Sequence, residues 1–153
     1  MLAHKMNTEL AHEIFNAFGA EIFPPGETVS IETYDDEGAN ENFRGTHWRD
    51  HQFSELENLL SCLTFFTPRA FCFFLPSFLL ASLEEPTSGF ASEVAERLCA
   101  PKNDPSRPSF LAWWSLLTRE QRSVIVAFLH VMQSKHGAIP HADISRLKAY
   151  RVV

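Results

Sequence analysis

No stretch of this chain is apolar for long enough to cross a bilayer. The longest such run, Phe71 to Leu83, covers about 13 residues where about 20 are needed, so no membrane partner is expected. The opening MLAHKMNTELAHE has no apolar core of the secretory-leader kind. Cysteine is scarce: Cys62, Cys72 and Cys99 are an odd number, none has C-x-x-C spacing, and all lie among apolar residues. That argues against a disulfide framework and for a reducing, cytoplasmic setting. Six scattered glycines form neither G-x-x-x-x-G-K nor G-x-G-x-x-G, hence no loop to cradle a phosphate. There is no G-x-S-x-G elbow, and no cysteine has a histidine or basic residue beside it in sequence. No cofactor and no catalytic residue is expected, and the chain carries no internal repeat or low-complexity tract.

What is present is a globular composition, 45% hydrophobic and 21% charged, with 14 phenylalanines against 2 tyrosines. Such a core is built from large rings without polar handles. At 153 residues one domain covering 1–153 is expected. The net charge of −6 is unevenly spread. Residues 1–99 hold 16 Asp and Glu against 5 Lys and Arg, and residues 100–153 hold 3 against 8. Two oppositely charged halves either face one another in the fold or present an interaction surface.

The periodicity predicts helices almost throughout. Thr8 reads as an N-cap for a helix carrying Leu10, Ile14 and Phe18, stopped by Gly19. Phe23-Pro24-Pro25-Gly26 breaks the chain, Thr28 to Tyr34 alternates weakly, and Asp35 to Glu41 is an acidic loop. A second helix is expected from near Thr46, with Trp48, Leu56, Leu59, Leu60 and Leu63 on one face. Thr67 fits an N-cap and Pro68 a first helical position for the next. Phe71, Phe73, Phe74, Leu75, Phe78, Leu79, Leu80 and Leu83 then surround the axis, so this helix must be enclosed by others, and Pro76 is expected to kink or break it. Helices over Phe90–Leu98 and Phe110–Leu117 follow, separated by a loop from Pro101 to Ser109. Thr118 and Gln121 form a capping box for a helix with Val124, Ile125, Phe128 and Met132 inward, ended by Gly137. Pro140 to Tyr150 can form a last helix. The expected fold is all-α: about six helices around a central Pro-kinked helix at 67–84, with at most one minor extended element near 28–34.

Several landmarks recur together: Phe43-Arg44-Gly45 leading to Trp48, then Phe65-Phe66-Thr67-Pro68, Ala70-Phe71 and Phe74-Leu75-Pro76-Ser77-Phe78-Leu79, then Leu117-Thr118 with Gln121 and Phe128-Leu129. This order, spanning roughly Phe15 to Leu129, resembles that of a family of small bacterial proteins defined as a domain of unknown function. The resemblance implies a helical, cytoplasmic, bacterial protein and brings no activity, cofactor or site residue with it. Its matching positions are those of packing, caps and a kink. Ser77 stands where the pattern favours a smaller residue, and the Trp113-Trp114 pair lies outside it.

The sharpest chemical candidate is His47-Trp48-Arg49-Asp50-His51. On a continuous helix His47, His51 and Glu55 form a stripe that could hold a metal, and the order resembles the inverted zinc-protease motif with Asp50 in place of glutamate. The competing reading is a solvated polar helix edge. His130, His136 and His141 lie in or after the capped helix, six and five residues apart, with His130 on its polar face and His136 suited to its C-terminus, and Glu84-Glu85 reads as a helix stop. Nucleic-acid binding would draw on Arg107, Arg119, Arg122, Lys135, Arg146, Lys148 and Arg151 with Trp113 and Trp114 as stacking platforms, but the acidic majority opposes it.

There remains the acidic segment from Glu27 to Glu57, in which Asp35, Asp36, Glu37 and Glu41 are the candidate binding residues. Such a patch either keeps the protein soluble or attracts a cationic partner. The leading expectation is a non-enzymatic interaction protein, of the immunity or inhibitor type, that binds a basic protein. The alternatives are a metal-dependent enzyme using His47, Asp50, His51 and Glu55, and a nucleic-acid-associated protein using the basic C-terminal third.

Overall fold

The helix expected to be buried on every side is the centre of the structure. In the computed structural model, which describes residues 2–19, 22–101 and 107–149, helix α5 runs over Pro68–Glu84. Thr67 caps it by accepting the Ala70 amide at 3.1 Å, and Pro68 occupies the first turn, where its missing N–H costs nothing. The helix continues through Pro76 instead of breaking there. Proline removes a single helical donor, the one that would have met the Cys72 carbonyl. The flanking Leu75, Ser77, Phe78 and Leu79 are all buried, and that burial outweighs a cost of about 3 kcal/mol.

Aromatic rings enclose α5. Phe74 lies within 6 Å, centroid to centroid, of Phe23, Phe43, Phe66, Phe73 and His51. Phe43 in turn meets Phe66 edge-on at 5.0 Å. Nearer the start of α5, Phe71 packs on Trp113 at 4.6 Å, and Trp113 on Phe110 at 4.9 Å. One hydrophobic cluster joins these groups, drawing on nearly every element of the chain.

The enclosing elements are α1 (Leu2–Phe18), α6 (Gly89–Leu98), α7 (Arg107–Trp114) and α8 (Arg119–His136), with short helical pieces between them. α1 begins before Thr8, which lies inside the helix and is not its N-cap; the stop before Gly19 (φ 66°) is as expected. Ser88 caps α6. α7 starts at Arg107, earlier than Phe110, because Pro108 can join its first turn. The capping box of α8 is formed as expected, Thr118 and Gln121 exchanging bonds of 3.1 and 3.0 Å. Gln121 also donates to the Ala17 carbonyl at 3.2 Å, tying the end of α1 to the start of α8. Gly137 closes α8 at φ 71°.

The 28–34 segment contributes no strand, only an isolated antiparallel bridge between Ser30 and Phe66. The Ile31 amide donates to Phe65 at 2.7 Å and the Thr67 amide to Val29 at 2.9 Å. A short helix α2 (Ala39–Phe43), within what the sequence suggests is an acidic loop, steadies this segment through Asn40, whose side-chain oxygen accepts from Val29 at 3.0 Å.

The helix expected from Thr46 onward is replaced by a 3-10 turn at Trp48–Asp50, then α3 (Phe53–Leu56) and α4 (Cys62–Phe65). Side chains competing for the backbone explain the break. His47 accepts the Arg49 amide at 2.9 Å, Asp50 accepts the His47 amide at 2.8 Å, and His51 and Gln52 are extended. Trp48, Leu56 and Leu63 are nevertheless buried. The last segment is a 3-10 helix over Ile144–Ala149, held by Gln133 donating to the Ile139 and Ala142 carbonyls, and not an α-helix from Pro140; Tyr150 lies outside the described residues.

Because Phe74 sits among five rings with no exposure, Phe74→Ala should lower unfolding stability by about 3–5 kcal/mol, measured by denaturant titration. Ser77 lies buried with its hydroxyl bonded to the Trp48 carbonyl. Ser77→Ala should cost about 1–3 kcal/mol by stranding that carbonyl.

Candidate functional site

The acidic candidates divide into two groups. Asp36 is a structural cap: its carboxylate accepts the Gly38 amide at 3.0 Å and the amide and side chain of Asn40, each at 3.1 Å. The Asn40 amide, foremost, holds the Asp36 carboxyl below the usual range, so its support of α2 is present above the ordinary aspartate pKa and is lost on acidification. Asp35 accepts the Glu37 amide at 2.9 Å, and Glu37 takes a positive φ of 55°. Glu41 lies in the first turn of α2. Glu32, Glu37 and Glu41 have no ion pair among the described residues. Between them stand Tyr34, fully exposed, and Ile31, 44% exposed, beside a shallow recess of about 490 Å³.

The histidine stripe is not formed. His47 caps its turn through Nδ1, while the Nε2 and Nδ1 of His51 meet Thr46 Oγ1 at 2.7 Å and the Glu55 carboxylate. The His51 ring packs at a tilt against Phe43, 4.5 Å between centroids. Thr46, His51 and Glu55 thus make a hydroxyl–imidazole–carboxylate line that joins α2, the turn and α3, a constellation the helical reading hides. The Thr46 hydroxyl is also bonded to the Phe43 carbonyl at 2.6 Å, so the line works as a brace. Among the described residues no three His, Cys, Asp or Glu side chains come together to hold a metal ion. His130 and His141 are exposed, and His136 lies 3.4 Å from the Asn7 side chain.

Trp113 and Trp114 are packed, not available as stacking platforms. Arg122 lies over the Trp114 ring at 5.7 Å and donates to the Trp114 carbonyl at 3.1 Å. The other basic candidates, Arg107, Arg119, Lys135, Arg146 and Lys148, belong to α7, α8 and the final turn; Arg151 lies outside the described residues.

A cleft of about 800 Å³ lies where no single segment signals it. Asn7, His12 and Phe15 of α1 form one wall, Trp48, Arg49 and Gln52 the other, and Leu80, Ala81 and Glu84 of α5 the floor. The sequence marks Trp48 and Leu80 as core residues and Glu84 as a helix stop, but not that they meet around one cleft.

The geometry defines a helical domain built around one buried helix, with an acidic, aromatic-tipped face and a separate cleft beside α1. The chain belongs to the family of unknown function DUF6714, whose family model matches residues 27–150. That match starts later and ends later than the landmarks from Phe15 to Leu129, and leaves α1 outside it. No curated protein and no solved structure matches the chain.

All three cysteines are free thiols. Burial pushes the Cys62 thiol up to about 11 and the Cys72 thiol up to about 12. Both should resist iodoacetamide at pH 8 in the folded protein and react after unfolding, as read by mass spectrometry. Above pH 9 the unfolded chain releases protons that the native thiols still hold, so stability falls as pH rises toward 11–12. A Cys62→Ala/Cys72→Ala variant should lose less stability over that interval than the parent.

Proposed function

We propose that the protein is a non-enzymatic interaction protein that binds a basic protein partner through the face from Ile31 to Glu41. The observation that carries this reading is the pairing of exposed Tyr34 and Ile31 with the carboxylates of Glu32, Glu37 and Glu41, which have no ion pair among the described residues. Tyrosine is favoured at the centres of protein interfaces, and ringed carboxylates speed the approach of a cationic surface. The caps made by Asp35 and Asp36 hold this face in shape before any partner arrives, which lowers the ordering cost of binding. A role of the immunity or inhibitor type, in a bacterial cytoplasm, suits a small acidic helical protein whose face is ready to mask a basic one.

Affinity capture from a lysate of the source organism tests the reading. A retained basic protein should be released by a Glu32→Lys/Glu37→Lys/Glu41→Lys variant and weakened about tenfold by Tyr34→Ala, both measured with the purified pair. Asp36 is left intact because it caps α2. Capture that the triple reversal leaves unchanged would show that the acidic face is not the binding surface.

A further inference from the structure

The cleft beside α1 is independent of the acidic face, and its charges are arranged along an axis. The Ser77 hydroxyl holds the Trp48 carbonyl, and Phe15 meets Trp48 edge-on at 5.1 Å, so these residues mark one end. From there the floor follows α5 through Leu80 and Ala81 to Glu84, while α1 lines the same stretch from Phe15 back to Asn7. At 1.5 Å per residue, Ser77 to Glu84 is roughly 10 Å of helix.

The two ends carry opposite charges. Arg49 lies over the rings of Phe15 and Trp48 at 5.1 and 5.0 Å, and donates one N–H to the Gly19 carbonyl at 3.4 Å. Its remaining donors face no carboxylate ion pair among the described residues. Glu84 stands in the last turn of α5, where the helix carbonyls already make the field negative, and it too has no ion pair among the described residues. Between the ends the floor is apolar, with Leu80 and Ala81, while Ala11, His12 and Gln52 stand on the walls and Phe15 is 41% exposed.

We infer that this cleft binds a short apolar peptide as a zwitterion, its C-terminal carboxylate on Arg49 and its N-terminal ammonium on Glu84. An extended chain advances about 3.3–3.6 Å per residue, so roughly three residues cover the stretch of α5 that forms the floor. Arg49 offers a planar fork suited to a carboxylate, while Glu84 suits an ammonium. A free cation or a free anion would satisfy one end only, and a longer chain would place its terminal charge beyond the opposite group.

Calorimetric titration of the full chain with Leu-Ala-Leu and Phe-Ala-Phe tests this, each peptide used free, N-acetylated and C-amidated. The free tripeptides should bind, and each blocking group should weaken binding about fivefold or more. In Glu84→Gln acetylation should no longer matter, whereas amidation still should; in Arg49→Gln the pattern should reverse. Arg49→Lys, which keeps the charge, should retain part of the discrimination against the amide, and thermal unfolding checks that each variant is folded. Failure of both free tripeptides to bind at millimolar concentration overturns the inference. So does equal binding of free and doubly blocked forms, or a loss on blocking that is unchanged in the two glutamine variants. Sensitivity to acetylation alone would show a site for organic cations and would also overturn it.

Discussion

A helix without a polar face can persist in water only when other parts of the chain cover it, and α5 imposes that condition on the whole protein. Eleven of its residues are buried. Covering them takes α1, α6 and α7, the 48–50 turn and the rings of Phe23, Phe43 and Phe66. The few polar atoms enclosed with it are satisfied locally: Ser77 by the Trp48 carbonyl and Ser82 by the Phe78 carbonyl at 2.7 Å. The core therefore has little room for reactive groups, and buried Cys62 and the largely enclosed Cys72 are held as neutral thiols.

Because helices of this size cover a long rod imperfectly, the gaps are closed by short turns, and these turns consume the polar side chains. Asp36 and Asn40 shape the entry to α2, His47 and Asp50 the 3-10 turn, and Thr46, His51 and Glu55 the passage into α3. Residues that read as chemistry in sequence are here committed to the backbone or to one another. Glu32, Glu37, Glu41, Tyr34, Arg49 and Glu84 lie exposed at the surface instead, which is why both functional readings concern recognition.

The long elements were legible because their signals are local. Thr67-Pro68 and the Thr118–Gln121 box mark starts, and glycines 19 and 137 mark stops with backbone angles that favour glycine. The 46–65 region was not, since its apolar spacing fits a helix while the His47 and Asp50 side chains bond to the backbone in ways that interrupt it. Thr8 misleads for a related reason: a threonine suited to a cap is also tolerated inside α1 when helix precedes it. Asp35 to Glu41 was legible as acidic but not as a set of caps, and the cleft is assembled from three segments whose meeting no local pattern announces.

The bond from Gln121 to the Ala17 carbonyl has a bearing on the order of folding. It joins residues 104 apart, whereas the ring cluster around Phe74 is assembled mostly within the stretch from Phe23 to Phe78. Closing the larger loop costs more chain entropy, so its contacts form once the nearer ones have shortened the effective loop. The side chain that opens α8 is also the one that receives the end of α1. Docking of the first helix is thereby coupled to completion of one of the last, and the two ends of the chain lock together around a centre that is already assembled.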